Sequence, residues 1–199
     1  MRYFKDTHYL IPLSVLIVSL LLQLFANEAL TILQYQRNDI ANGQLWRLFS
    51  AHLVHLNWNH FFLNAAGLVL LWLLLYRSFS QGQWLLLFFF SLLLIDIAIY
   101  FFHPGIVWFA GLSGILHALF TAGAVASIRQ YGWKYSAYLV IILVKIAWEQ
   151  LSGPIPGSTE AIGAPVITAS HFYGASAGLI FAALVRKNRL PVAHSQSRG

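Results

Sequence analysis

Six stretches of the chain are apolar all round rather than on one face: about 10–26, 56–76, 84–102, 108–127, 135–151 and 168–186. Crossing the hydrocarbon core of a bilayer takes about 20 mainly apolar residues in a helix, and each stretch meets or nearly meets that length. The runs are continuous, not alternating, which excludes a membrane β-barrel. The pattern therefore predicts an all-α membrane protein with six transmembrane helices. Residues 27–55 form a long first loop with apolar residues of its own, "QLWRLFSAHLVHL". Residues 152–167, "SGPIPGSTEAIGAPVI", have the Gly/Pro-rich composition of a mobile lid rather than a helix. Residues 1–190 read as a single membrane domain and 191–199 as a short disordered tail. The first run has the basic flank of a signal peptide, Arg2 and Lys5, but its apolar core exceeds the usual length of about 7–15 residues, so a retained helix is expected.

Composition agrees: 59% of residues are hydrophobic and 9% charged, and the mean hydropathy is +0.68. Soluble domains carry about a quarter charged residues. There is no cysteine, which removes disulfides, thiol nucleophiles and thiolate metal sites. The net charge of +6 invites a nucleic-acid reading, but the positions of the charges point elsewhere. With six spans, Arg2, Lys5, Arg77, Arg129, Lys134, Arg186, Lys187, Arg189 and Arg198 share one side, and only Arg37 and Arg47 the other. Basic residues gather on the cytoplasmic side, so both termini are expected in the cytoplasm, with the lipid bilayer and not nucleic acid as the partner. Trp58, Trp84, Trp108 and Trp133 lie near span ends, where interfacial anchors belong.

Polar groups inside a membrane are costly and mark function by default. Ser113 and His171 lie near the outer ends of the fourth and sixth spans. With the fourth span ending near Ser127 and the sixth near Arg186, a rise of about 1.5 Å per residue sets them roughly 21 and 22 Å above the inner ends. Serine needs a base to take its proton, and a neutral histidine is the usual one. Gly111 and Gly114 flank the serine, and Gly174 and Gly178 give the histidine helix a small-residue face for close packing. Backbone N–H groups at a helix start can hold an oxyanion. His60 and Asn64, four apart on the second span, are further oxyanion donors. The plainer reading makes all of these helix-packing contacts.

Together the H-x-x-x-N of the second span (His60, Asn64), the G-x-S-G of the fourth (Gly111, Ser113, Gly114) and the H-x-x-G-x-x-x-G of the sixth (His171, Gly174, Gly178) resemble the rhomboid intramembrane serine proteases. Trp46 and Arg47 in the first loop look like that family's as well, and the resemblance covers about residues 44–186. It implies a six-helix rhomboid-like bundle and a cofactor-free serine endopeptidase. Ser113 would be the nucleophile and His171 its base in a two-residue dyad. His60, Asn64 and the Ser113 N–H would form the oxyanion hole. Single-span membrane proteins would be the substrates, in a bacterial-type inner membrane. The compact size is similar to the rhombosortase subgroup, whose substrates end in a Gly-Gly motif, an apolar helix and a basic tail.

Two residues depart from the family pattern. Ser170 precedes the histidine where alanine is frequent, and His117 stands where relatives often carry an aromatic that packs on the catalytic histidine. By spacing, His117 also competes as the base, but it lies one turn deeper, away from water. Lys145 has two possible partners, Asp96 at equal depth and Glu149 one turn on, the latter being the cheaper pairing; no direct catalytic aspartate is indicated. His52, His55 and His103 in outer loops, with His60, His117 and His171, raise a haem- or metal-binding membrane protein as the competing class. A catalytically inactive rhomboid-like binding protein is a third.

Overall fold

The computed structural model describes residues 8–185. The terminal segments, with the expected tail and six of the basic residues, lie outside the described residues. The elements in order are α1 (Leu10–Leu24), α2 (Ala26–Leu33), β1 (Tyr35–Gln36), α3 (Arg37–Ala41), α4 (Arg47–Ser50), α5 (Trp58–Leu75), α6 (Gln81–Phe102), β2 (Trp108–Phe109), α7 (Ser113–Tyr131), α8 (Ser136–Ser152), α9 (Ser158–Ile162) and α10 (Thr168–Leu184). The long helices α1, α5, α6, α7, α8 and α10 fall on the six apolar stretches. Among the described residues two helices are long and apolar enough to cross a membrane, Trp58–Ser78 and Gln81–Phe102, and α1 with α2 makes a third candidate bent by 109°. The chain is a helical membrane bundle.

The less apolar α7 sits at the centre, packed against α5, α6, α8 and α10. Its small residues Gly114, Ala118, Ala122, Gly123 and Ala124 are buried. Lipid offers no hydrophobic force to join helices, so close backbone approach and van der Waals contact must do it. The α7–α10 seam shows this directly. A Cβ on Gly174 would overlap the Gly114 carbonyl, and one on Gly178 the Ala118 carbonyl. The outer helices turn leucine, isoleucine and valine outward instead, such as Leu86 and Ile97 of α6 and Val144 and Leu151 of α8.

Several expectations need correction. The fourth run starts as an extended segment: Trp108–Phe109 is β2, paired antiparallel with β1, and the helix begins only at Ser113. The long first loop is not loop throughout, since it holds α2, β1, α3 and α4. Buried Arg47 organises it, donating to the Gln34 and Thr31 carbonyls and to Gln44 Oε1 and pairing with Asp39 at 3.0 Å. The Gly/Pro-rich segment forms the short helix α9 after Gly157, and Asn57 at the start of α5 holds the Ile162 carbonyl at 2.7 Å. Trp84 is no interfacial anchor. It is buried against Trp72 and Phe79 and donates to the Tyr76 carbonyl, because α6 enters the bundle there.

Candidate active site

Ser113 is the first residue of α7, so its N–H and those of the rest of the first turn have no carbonyl one turn back within the helix. His171 is in the first turn of α10. The glycine seam brings these two helix starts together, and Ser113 Oγ lies 2.9 Å from His171 Nε2. His171 is buried. Its other nitrogen, Nδ1, faces Glu149 Oε2 at 2.9 Å. A carboxylate only accepts hydrogen bonds, so Nδ1 carries the proton and Nε2 is free to accept from the serine hydroxyl.

His117 does not compete for the serine hydroxyl. Its Nδ1 bonds the Ser113 carbonyl oxygen at 2.7 Å and its Nε2 meets Lys145 Nζ at 2.9 Å. Its ring stacks on His171, with centroids 4.1 Å apart and planes 15° off parallel. Ser170 bonds locally to the Ile167 carbonyl. Of the two partners open to Lys145, Glu149 holds it at 2.5 Å; Asp96 pairs instead with His52 at 3.3 Å.

Gly111 just before α7 has φ +120°, a conformation side chains rarely adopt, and its N–H donates to the Ala51 carbonyl. A Cβ there would stand 2.5 Å from His60 Cε1 and 3.5 Å from Asn64 Nδ2. The missing side chain thus lets His60 and Asn64 press against the backbone leading to Ser113. The Asn57 side chain caps α5 by accepting from the His60 N–H. Asn64 Nδ2 and His60 Nδ1 are buried with no hydrogen-bond partner in the protein. Buried donors are nearly always paired, so the Asn64 N–H₂ left open against the backbone that leads to Ser113 calls for a ligand or transient acceptor.

A cavity of about 240 Å³ opens here, lined by His52, His60, Gly111, Ser113, Ser170 and, at and after the end of α9, Ile162, Pro165, Val166 and Ile167, among others. His55, in the loop before α5, lies behind His60 with ring centroids 5.1 Å apart. Burial and the neighbouring His60 push its imidazole down to about 3, so it stays neutral near pH 7. Among the described residues the six histidines of the competing reading do not converge on one centre. His103 bonds Tyr173 and His52 bonds Asp96. His117, Glu149 and His171 do offer ligand atoms within 4.8 Å of one another. Lys145 Nζ contacts two members of that set and supplies its cation.

Glu149 is the neighbour of His171 that the dyad expectation missed. One signal was available: Glu149 and His171 lie near the same ends of adjacent spans, so their heights agree. Its salt partner Lys145, one turn away, seemed to account for it fully.

No curated protein matches the chain. The Rhomboid domain profile matches residues 42–188, most of its length and all of the groups just described. The chain is an integral membrane protein and belongs to the rhomboid family of intramembrane proteases.

Proposed function

We propose that the chain is an active intramembrane serine endopeptidase that cleaves membrane-anchored proteins near the outer face of the bilayer. The observation that carries this reading is the 2.9 Å contact between Ser113 Oγ and His171 Nε2 at the edge of a cavity. Ser113 Oγ attacks the scissile carbonyl carbon while its proton passes to His171 Nε2. The negative charge formed on the carbonyl oxygen is held by the Ser113 N–H, His60 and Asn64. The intermediate collapses and the C–N bond breaks. His171 gives its proton to the leaving amine, and the acyl group stays on Ser113 as an ester. A water then loses a proton to His171 and attacks the ester, freeing the carboxylate product and restoring the serine.

The orientation rests on charge. Arg77, Arg129 and Lys134 sit in or beside the α5–α6 and α7–α8 connections at one end of the bundle, and Ser113 and His171 open their helices at the other. Under the positive-inside rule the first end is cytoplasmic and the serine faces outward. Residues 1–190 act as one domain. The narrower reading, removal of Gly-Gly-type C-terminal anchors as in the rhombosortase subgroup, is decided by the substrates offered.

The test is co-expression with single-span substrates with and without a Gly-Gly anchor segment, comparing the native chain with Ser113→Ala and His171→Ala. Cleavage by the native chain alone is expected. Equal cleavage in all three refutes the assignment.

A further inference from the structure

Buried charges are scarce in this bundle, and one of them lies on α8, one turn after the partly exposed Lys145. Glu149 is 4% exposed. A carboxylate at that depth needs strong partners, and a plain ion pair there is weak evidence for stability. Glu149 has more than an ion pair, because its two oxygens point to different tasks. Oε1 takes the Lys145 ammonium at 2.5 Å, and Oε2 takes His171 Nδ1 at 2.9 Å. Lys145 also donates to His117 Nε2 at 2.9 Å, and His117 Nδ1 returns to the Ser113 carbonyl at 2.7 Å.

We infer that Glu149 is the orienting carboxylate of a Ser113–His171–Glu149 triad, locked from behind by Lys145 and His117. This rests on the proposed protease function and adds to it. The bonds form a closed circuit that leaves Ser113 at its carbonyl and comes back at its hydroxyl, and with Lys145 charged, Glu149 ionised and both imidazoles neutral one proton arrangement satisfies it. The Ser113 carbonyl can only accept, so His117 Nδ1 bears a proton and His117 Nε2 is bare. An ammonium can only donate, so Lys145 fills both the bare Nε2 and Oε1 of Glu149. The carboxylate then keeps a proton on His171 Nδ1 and leaves Nε2 bare toward Ser113. When His171 takes the serine proton, the positive imidazolium forms against the Glu149 carboxylate and beneath the stacked His117 ring. Glu149 touches neither substrate nor the reacting atoms. It is a positioning residue that acts through His171.

The experiment uses the full chain in detergent and follows the rate at which a fluorophosphonate labels Ser113. Glu149→Gln keeps size and shape but offers an N–H₂ toward Nδ1, which turns His171 to the wrong tautomer. Losing the acid of a soluble serine-protease triad costs about 10⁴-fold in rate, and a loss of about 10²–10⁴-fold is expected here with the melting temperature retained. Glu149→Asp should recover part of the rate, and Lys145→Met should lose less than Glu149→Gln. The ¹⁵N spectrum of labelled histidine, assigned against His171→Ala, should show His171 protonated at Nδ1 in the native chain and at Nε2 in Glu149→Gln. Native-rate labelling in Glu149→Gln, with Ser113→Ala and His171→Ala both inert, overturns the inference and leaves the protease reading standing. An Nε2-protonated His171 in the native chain also overturns it, whether or not any variant folds. Undiminished labelling in Ser113→Ala or His171→Ala overturns both readings.

Discussion

The two ends of the bundle are built to different rules. At the basic end polar groups find fixed partners. Ser78 and Ser127 bond each other at 2.7 Å, Trp84 Nε1 holds the Tyr76 carbonyl, Arg129 holds the Ala182 carbonyl, and Ser80 with Gln83 forms a capping box for α6. At the other end open polar atoms accumulate: His52 Nδ1, both nitrogens of His55, His60 Nδ1, Asn64 Nδ2 and the Tyr35 hydroxyl. Other open atoms, among them His8 Nδ1 beside Tyr76, Ser19 Oγ and Gln23 Oε1 of α1, Trp72 Nε1 and Thr121 Oγ1, lie outside that cluster. The basic end spends its polar atoms on holding helices. The site end leaves them open beside a cavity, with Gly111 at φ +120°, and stability is given up there for function.

Substitutions that separate the two ends make this contrast testable. The largest effect is expected from the open donors. His60→Ala or Asn64→Ala removes an oxyanion donor and should slow turnover about 10²–10³-fold, as loss of one such donor does in a soluble protease. Their melting temperatures should stay close to native, because neither atom has a protein partner to lose. Steady-state cleavage and thermal melts of the same preparations check both halves. Next comes the seam. Gly174→Ala pushes a methyl into the Gly114 carbonyl, so α10 has to move and carry His171 with it. A displacement near 1 Å costs about 10²-fold. Activity and melting temperature should fall together, unlike the donor variants.

Ser127→Ala at the basic end should do the reverse. It strands the buried Ser78 hydroxyl, costing about 1–3 kcal/mol of stability, and leaves the cleavage rate unchanged. The smallest effect is in the pH dependence of stability. The folded state holds His55 near 3, below its ordinary 6.5. Between those values the unfolded chain takes up a proton that the folded chain refuses. Stability from this group is therefore present above pH 6.5 and is lost progressively as the pH falls toward 3. His55→Phe should flatten that slope in melts across the acid range.

The sequence carried the large elements and the family well. Uninterrupted apolar runs locate helices in a membrane because no soluble alternative competes. Costly residues such as Ser113, His171, His60 and Asn64 stand out against such a background. What it hid was decided by pairing across helices. Asp96 and Glu149 both read as possible partners of Lys145, with Glu149 the cheaper one, and neither pointed to a histidine. Only packing shows that His52 takes the first and that Lys145 and His171 share the second. The extended segment before Ser113 was hidden because Trp108 and Phe109 continue the apolar run while their backbone bonds to Tyr35 and Gln36. The helix α9 was masked by the glycines and prolines around it, which end a helix without forbidding a single turn inside it.

The most direct measurement is a map of where a fluorophosphonate attaches to the purified, folded chain. Intact mass and peptide mapping should find one adduct, on Ser113, absent in Ser113→Ala and in His171→Ala while both variants keep the native melting temperature. An adduct on another serine, or none on a folded chain that turns over no membrane-anchored substrate, contradicts the assignment of Ser113 and His171 as the hydrolytic pair.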